Sequence, residues 1–343
     1  MIEEIRAILP DELEQALLDM GEKKFRAEQI LQWIYQRNVE SYDEMTNLSL
    51  KLRQKLDVEF PLSAFPKLKE EHAEDGSIKI AYPLKCGGIV ESVLIPTPKR
   101  LSLCVSSELG CSFNCAFCRT GHLGFGRRLS ASEILTQVHC AQRLARERLD
   151  REITNIIYMG MGEPFHNLEA LFRSLEILLD RRCFDISKRK ITVSSVGHVP
   201  GIRALGQSKF GVNLAISLHA PNDELRSKIM PVNRQWGLDA LFKALHEYPL
   251  ANRQRITFEY ILIKNLNMSA RDAAQLVKRL HALPSKVNLI PFNPFDGCDF
   301  ERPSDEEVDG FRDILLSKGV ACSVRRSRGS DTLAACGQLG QIV

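Results

Sequence analysis

The chain has 343 residues, 44% hydrophobic and 26% charged, with a formal net charge of +3, which suits a globular protein with one large domain or one large and one small. A charge that small does not announce a nucleic-acid partner by itself, and no apolar run approaches the length of a membrane span. The start, Met1-Ile-Glu-Glu-Ile-Arg, has neither the basic nor the apolar region of a secretory leader, and ten cysteines without such a leader point to thiols in a reducing cytoplasm rather than to a disulfide framework.

Residues 1–60 read as a small helical unit. Asp11 to Gly21 follows Pro10 as a first helix, Phe25–Tyr35 places Ile30, Trp33, Ile34 and Tyr35 at helical spacing, and a third helix fits Leu48 to Leu56. Trp33 and Tyr35 beside Lys24, Arg26 and Arg37 suit either a stacking surface for RNA bases or an ordinary core stripe. The unit carries more Asp and Glu than Lys and Arg, so it is not a basic arm.

Residues 61–98 alternate apolar and polar positions between the turn signals Asp75-Gly76 and Gly87-Gly88, as a β-hairpin linker would. Within them Glu91 lies in the apolar strand Ile89–Ile95. It either faces water, or is half-buried with a raised pKa that suits a general base.

Residues 99–300 repeat strand then helix. Strands are expected at Leu101–Ser106, Ile153–Met159, Lys190–Ser194, Val212–Leu218, Ile256–Ile263 and Lys286–Pro291. Helices are clearest over Ile134–Arg148, behind the capping box Ser130-Ala-Ser-Glu133, and from Ser269 to Leu283. Six such repeats predict an α/β fold, a parallel sheet open or curled into a partial (β/α)6 barrel, with the chemistry on loops at the C-terminal strand ends.

The first of those loops holds Cys111-Ser-Phe-Asn-Cys115-Ala-Phe-Cys118. Three thiolates in eight residues can hold an iron–sulfur cluster with one iron left open, or a structural zinc completed by a distant fourth ligand. Later strand ends carry Gly160-Met-Gly162-Glu163-Pro164, Ser194-Ser195, Ser217-Leu218-His219 and Asn293, a coincidence that suggests one ligand stretched across the mouth of the sheet. Arg119, Arg127 and Arg128, and again Arg325, Arg326 and Arg328, form two basic clusters that would make an anion-binding rim if they met, and otherwise a solvated surface.

Residues 301–343 form a C-terminal extension: a helix over Ser304–Lys318, a last strand at Ala321–Arg326, and a tail in which Cys336 lies between small residues. Such a cysteine is either exposed and reactive or a small buried hydrophobe.

Taken together, Phe25-Arg-Ala-Glu-Gln-Ile with Trp33-Ile-Tyr, Asp43-Glu-Met-Thr-Asn-Leu, Glu91-Ser-Val-Leu-Ile-Pro, Cys104-Val-Ser-Ser, the cysteine loop with Phe117 before its last thiol, Gly162-Glu-Pro and Ala335-Cys336-Gly-Gln-Leu resemble the radical S-adenosylmethionine RNA adenine methyltransferases of the RlmN/Cfr family. The resemblance implies a radical-SAM core behind a helical RNA-binding accessory domain. It implies that Cys111, Cys115 and Cys118 ligate a [4Fe–4S] cluster, and that Gly162, Glu163, Ser194, Ser217, Leu218, His219 and Asn293 bind S-adenosyl-L-methionine, consumed twice per turnover. Which of Ser194 and Ser195 touches the cofactor stays open. Cys336 is implied to accept a methyl group and return it as a methylene radical to the adenine ring. Glu91 takes the ring proton, and Cys104 releases the product by forming a disulfide with Cys336.

The expected substrate is C2 of an adenosine in 23S rRNA near the peptidyl-transferase centre, with a tRNA anticodon-loop adenosine as a second. Flavodoxin or ferredoxin would be the reductant, and the protein a cytoplasmic monomer. C8 methylation of the same rRNA base is the alternative within the family. A zinc-stabilised RNA-binding module and an iron–sulfur sensor are the alternatives outside it. Arg119 departs from the small residue expected after the last ligand.

Overall fold

The computed structural model describes residues 4–63, 69–85, 87–326 and 328–340. Cys86 and the first three residues, with which the reading of the N-terminus began, lie outside the described residues. The helical unit consists of α1 (Pro10–Asp19), α2 (Phe25–Leu31) and α3 (Leu50–Glu59). Proline opens α1, where its missing N–H is not needed. The expected second helix forms in two geometries, because α2 continues as a wider π-type turn over Gln32–Gln36. The third starts later than the apolar pattern suggested, since the Ser49 side chain caps it by accepting from the Leu52 N–H. Tyr35 is a core residue whose hydroxyl donates to the Arg6 carbonyl. The Arg37 guanidinium lies 4.1 Å from the centre of the Trp33 ring, so these two aromatics do not make one open stacking face.

Three antiparallel strands follow, β1 (Lys69–His72), β2 (Ile78–Pro83) and β3 (Ile89–Thr97), and β3 pairs in turn with β4 (Arg100–Cys104). A separate hairpin of β5 (Glu108–Gly110) and β6 (Phe125–Arg128) encloses the cysteine loop and the short α4 (Arg119–His122). Next come α5 (Ala131–Leu149), β7 (Asn155–Tyr158), α6 (Leu168–Leu179), β8 (Ile191–Ser195), α7 (Val199–Gln207), β9 (Asn213–Ser217), α8 (Asp223–Ile229) and α9 (Leu238–His246). The chain ends through β10 (Ile256–Leu262), α10 (Ala270–Leu280), β11 (Ser285–Pro291), α11 (Asp305–Ser317) and β12 (Cys322–Val324).

One ten-stranded sheet runs β1-β2-β3-β4-β7-β8-β9-β10-β11-β12, and every neighbouring pair from β4 onward is parallel. The expected six-repeat α/β core is present. It is extended by β12 at one edge and by the hairpin strands at the other, so linker and core share one sheet. The central strands are buried on both faces, as parallel strands covered by crossover helices must be. The capping box at Ser130 and Glu133 starts α5 as its sequence required. Among the described residues no helix is long and apolar enough to cross a membrane.

Residues 328–340 form a strap from the β12 edge back to the β1–β3 edge. Arg328 Nη1 donates to the Pro96 carbonyl at 2.7 Å, Gly329 N–H to Asp75 at 3.0 Å, Lys79 Nζ to the Thr332 carbonyl at 2.6 Å and Gly340 N–H to Glu91 Oε2 at 2.6 Å. Between these ends the strap is tied to the cysteine loop, Arg119 N–H donating to the Gly337 carbonyl and Thr120 Oγ1 to the Leu339 carbonyl, each at 2.7 Å.

The neck of the cysteine loop depends on one glycine. Gly110 adopts φ +75, and a Cβ there would sit 2.0 Å from the Gly124 carbonyl oxygen, which accepts the Cys111 N–H at 2.8 Å. Gly110→Ala should open that neck and destabilise the apoprotein by about 1–3 kcal/mol. Urea unfolding would read the stability, and faster labelling of Cys111 and Cys118 by a thiol reagent would show the opened loop. Unchanged labelling would contradict this account.

Candidate active site

A cavity of about 170 Å³ lies at the C-terminal ends of the parallel strands, and Cys104, Cys111, Cys115, Cys118 and Cys336 all line it. The first strand ends at Cys104, the cysteine loop follows it, and the strap brings Cys336 back from the far end of the chain. Both Cys104 and Cys336 are free thiols. Of the strand-end residues expected from sequence, Gly162, Glu163, Ser194, Ser217 and His219 form walls of the same cavity.

Burial raises the pKa of all three loop thiols, Cys111 to about 12, and each feels its neighbours' charge as a further penalty. Such a set favours a bound cationic centre over bare thiolates. Cys111, Cys115 and Cys118 are free thiols of one loop that line one cavity, and a four-iron cluster takes its three thiolates on separate irons. The donor set therefore fits a cluster. Arg226 lies behind it, fully buried, donating to the carbonyls of Val196, Ser217 and Leu218 and to Asn233 Oδ1. One guanidinium thus ties the loops after β8 and β9 together, and burial brings its own pKa down to about 10.

The Glu163 carboxylate is committed to backbone, accepting from the Val196 N–H at 2.8 Å and the Phe165 N–H at 3.3 Å. Gly162 before it adopts φ +91, where a Cβ would lie 2.5 Å from the Glu108 side chain. His219 Nδ1 accepts from the Ile261 N–H at 3.0 Å, and burial, with Arg226 adding to it, lowers its pKa to about 3. It is therefore a neutral imidazole that keeps an N–H on Nε2, its ring edge-on to Phe117 at 4.6 Å. Ser195 Oγ accepts from the Gly197 and His198 N–H groups, whereas Ser194 makes no such turn contacts.

Three expected site residues are not walls of this cavity. Leu218 is fully buried and accepts from Arg226 through its carbonyl. Asn293 donates to the Cys336 carbonyl at 3.0 Å and so holds the tail rather than the cavity floor. Glu91 shares a strand face with Val93 and Ile95, which do line the cavity, and is only 1% exposed. The water-facing reading of Glu91 fails. Its Oε2 takes the Gly340 N–H, its Oε1 has no hydrogen-bond partner, and Lys79 Nζ lies 3.9 Å from Oε1.

One arginine of each basic cluster is engaged within the protein. Arg127 forms a two-pronged pair with Glu133, and Arg325 turns inward to line the cavity beside Cys336, Cys104 and Glu259. The Arg325 pKa is raised by the charge of Cys336 first and by Glu259 and Cys104 besides. In return Arg325 moderates Cys104, which burial and then Cys336 push up to about 12. Sequence reasoning missed this inward role of Arg325, and it missed Glu259, although a carboxylate inside the apolar strand Ile256–Leu262 is the same signal that picked out Glu91.

Residues 7–60 match the family model described as the ribosomal RNA large subunit methyltransferase N-terminal domain, and residues 106–277 match the radical SAM superfamily. The chain is 46% identical to the dual-specificity RNA methyltransferase RlmN of Syntrophobacter fumaroxidans, over 96% of this chain and 95% of that one. It is 44% identical to the protein of the same name from Geobacter sulfurreducens, over 98% and 91%. The crystal structure of a radical SAM methyltransferase from Sphaerobacter thermophilus superposes with a TM-score of 0.94 at 42% identity, covering 98% of both chains.

Burial raises the Glu163 carboxyl from its ordinary 4.5 to about 7, against the backbone N–H groups it accepts from. The folded state thus binds this proton more tightly than the unfolded state. Its contribution to stability is complete below the ordinary carboxylate range and is lost as pH rises through 7. Between pH 4.5 and 7.5 the wild-type apoprotein should lose on the order of 2 kcal/mol that Glu163→Gln does not. Denaturant unfolding at each pH measures the difference, and parallel profiles would refute it.

Proposed function

The chain belongs to the RlmN family of radical S-adenosylmethionine RNA methyltransferases, and from that membership we propose that it methylates C2 of an adenosine in 23S rRNA and of a second adenosine in tRNA through Cys336. The observation that carries this reading is that Cys336, from the end of the chain, shares one cavity with Cys104 and the three loop cysteines. A structural metal site has no use for two further thiols set apart from the loop.

When bound, a [4Fe–4S] cluster on Cys111, Cys115 and Cys118 together with S-adenosyl-L-methionine would supply a methyl group and a hydrogen-abstracting radical, one cofactor molecule for each. Gly162, Glu163, Ser194, Ser217 and His219 are the residues that would hold S-adenosyl-L-methionine. Gly162 allows close approach of the backbone, and the neutral His219 offers its Nε2–H. Asn293 and Leu218 support them indirectly, Asn293 by holding the Cys336 carbonyl and Leu218 through Arg226.

The chain's own residues account for the rest. C2 of adenine is electron-poor and does not attack a methyl sulfonium directly, so a sulfur must carry the carbon. Cys336 has the position for this, with Arg325 beside it on the wall of the same cavity. Glu91 suits the ring proton because its Oε1 is buried without a hydrogen-bond partner. Cys104 then attacks the Cys336 sulfur; the carbon–sulfur bond breaks toward the methylated base, and the electron pair left at the base takes a proton as a disulfide forms. The cysteine pair must be reduced before the next turnover, which suits a reducing cytoplasm. A flavodoxin- or ferredoxin-type protein is the expected electron donor, and the enzyme is expected to act as a monomer.

Nucleoside mass spectrometry of rRNA and tRNA treated with reconstituted enzyme should show 2-methyladenosine in both, and 8-methyladenosine instead would replace the C2 assignment. Cys336→Ala should abolish RNA methylation, and Cys104→Ala should leave a covalent protein–RNA adduct visible on a denaturing gel. Because Cys104 titrates near 12 with Arg325 opposing the rise, product release should quicken as pH rises from 7 to 9. Arg325→Met should slow it by roughly tenfold or more, read by single-turnover quench.

A further inference from the structure

A second cavity of about 440 Å³ occupies the other end of the sheet interior. Arg100, Thr192, Thr257 and Lys286, which open or nearly open β4, β8, β10 and β11, line it. The first cavity uses the opposite ends of the same strands. Cys336, Arg325, Met159 and Glu259 line both, so Cys336 stands in the partition between two chambers.

That position matches what a carbon-carrying sulfur needs. Its methyl group must meet the group that removes a hydrogen on one side and the acceptor ring on the other, and those two reactants need never touch. The chamber away from the cysteine loop is then the one for the acceptor. Its outer wall carries the exposed cations Arg100, Lys286, Arg326 and Arg328, which suit phosphates. Glu259, 4% exposed, reaches its inner wall. Asn288 Nδ2 donates to Glu259 Oε1 at 2.9 Å, while Oε2 is buried without a hydrogen-bond partner. A buried acceptor left open in a cavity wants an N–H donor, and the exocyclic amino group of adenine provides one at the ring position where guanine presents a carbonyl oxygen. The volume lies within the range of small-ligand pockets.

We infer that this second chamber holds the target adenosine of the RNA, with Glu259 Oε2 accepting from its exocyclic amino group and with Lys286 and Arg326 gripping the flanking phosphates. The assignment rests on Cys336 as the methyl carrier. It makes Glu259 the residue that selects adenine, which neither the cysteine loop nor the strand-end residues of the first cavity do.

The test compares an RNA hairpin carrying the target adenosine with the same hairpin carrying purine riboside there, which lacks only the amino group. Reconstituted wild-type enzyme should prefer adenosine by roughly tenfold or more in kcat/KM. Glu259→Gln puts an amide N–H2 where Oε2 was, because Asn288 continues to hold Oε1, and should bring that preference to within about twofold. Lys286→Glu and Arg326→Glu, both at exposed positions, should weaken binding of a fluorescent hairpin to the apoprotein by roughly tenfold each and flatten its salt dependence. They should leave S-methylation of Cys336 without RNA, read by mass spectrometry of the intact protein, unchanged. Full retention of the adenosine preference in Glu259→Gln, or unchanged hairpin affinity in both charge reversals, would overturn the chamber assignment while leaving the reaction standing. A wild-type enzyme that never loads Cys336 with methyl would overturn the reaction and this inference together.

Discussion

The Gly340 N–H donating to buried Glu91 closes the circuit on which the site depends. A hydrogen bond of this kind is worth about 0.5–1.5 kcal/mol, and it joins the end of the described chain to a strand laid down some 250 residues earlier. Together with the ties from Arg328 to Pro96, from Gly329 to Asp75 and from Lys79 to the Thr332 carbonyl, it pins both ends of the strap to the β1–β3 side of the sheet. Cys336 is carried on that strap, and the same hydrogen bond sets Glu91 and leaves one of its oxygens open. The tail and the Glu91 carboxyl are therefore placed by one contact rather than by two independent ones.

Burial of charge is the second organising constraint. The cavity gathers five thiols, burial makes ionisation costly for Cys104 and the three loop thiols, and the compensation comes from two inward arginines with separate duties. Arg226 braces the strand-end loops behind the cysteine loop through carbonyl oxygens. Arg325 faces the pair Cys104 and Cys336 and, across the partition, Glu259. A lysine would serve poorly at the first position, since three backbone carbonyls and an amide need the fork of a guanidinium.

The parallel sheet explains how one barrel can offer two environments. Inward side chains at the C-terminal ends are cysteine, serine, histidine and glutamate. At the N-terminal ends they are threonine, lysine and arginine, and the outer ones are open to solvent. The transition occurs within single strands: Thr257 belongs to the second chamber, Glu259 to both and Ile261 to the first. The two-residue period of a strand is what allows three successive inward positions to do three different things.

Much of this could be read without coordinates. The strand–helix repeat, the cysteine loop after the first strand and the capping box at Ser130 follow from local pattern, because capping, periodicity and ligand spacing are properties of neighbouring residues, whereas the candidate roles of Cys104 and Cys336 come from the family resemblance alone. The inward turn of Arg325, the burial of Glu91, the commitment of Glu163 to backbone and the hydrogen bond from Asn293 to the tail could not be read that way. Each depends on a contact between segments far apart in sequence, and the composition of a segment says nothing about which distant carbonyl, carboxylate or thiol will face it. A charged residue in an apolar strand announces only that it needs a partner. The closing of the sheet by the strap decided which partner it found.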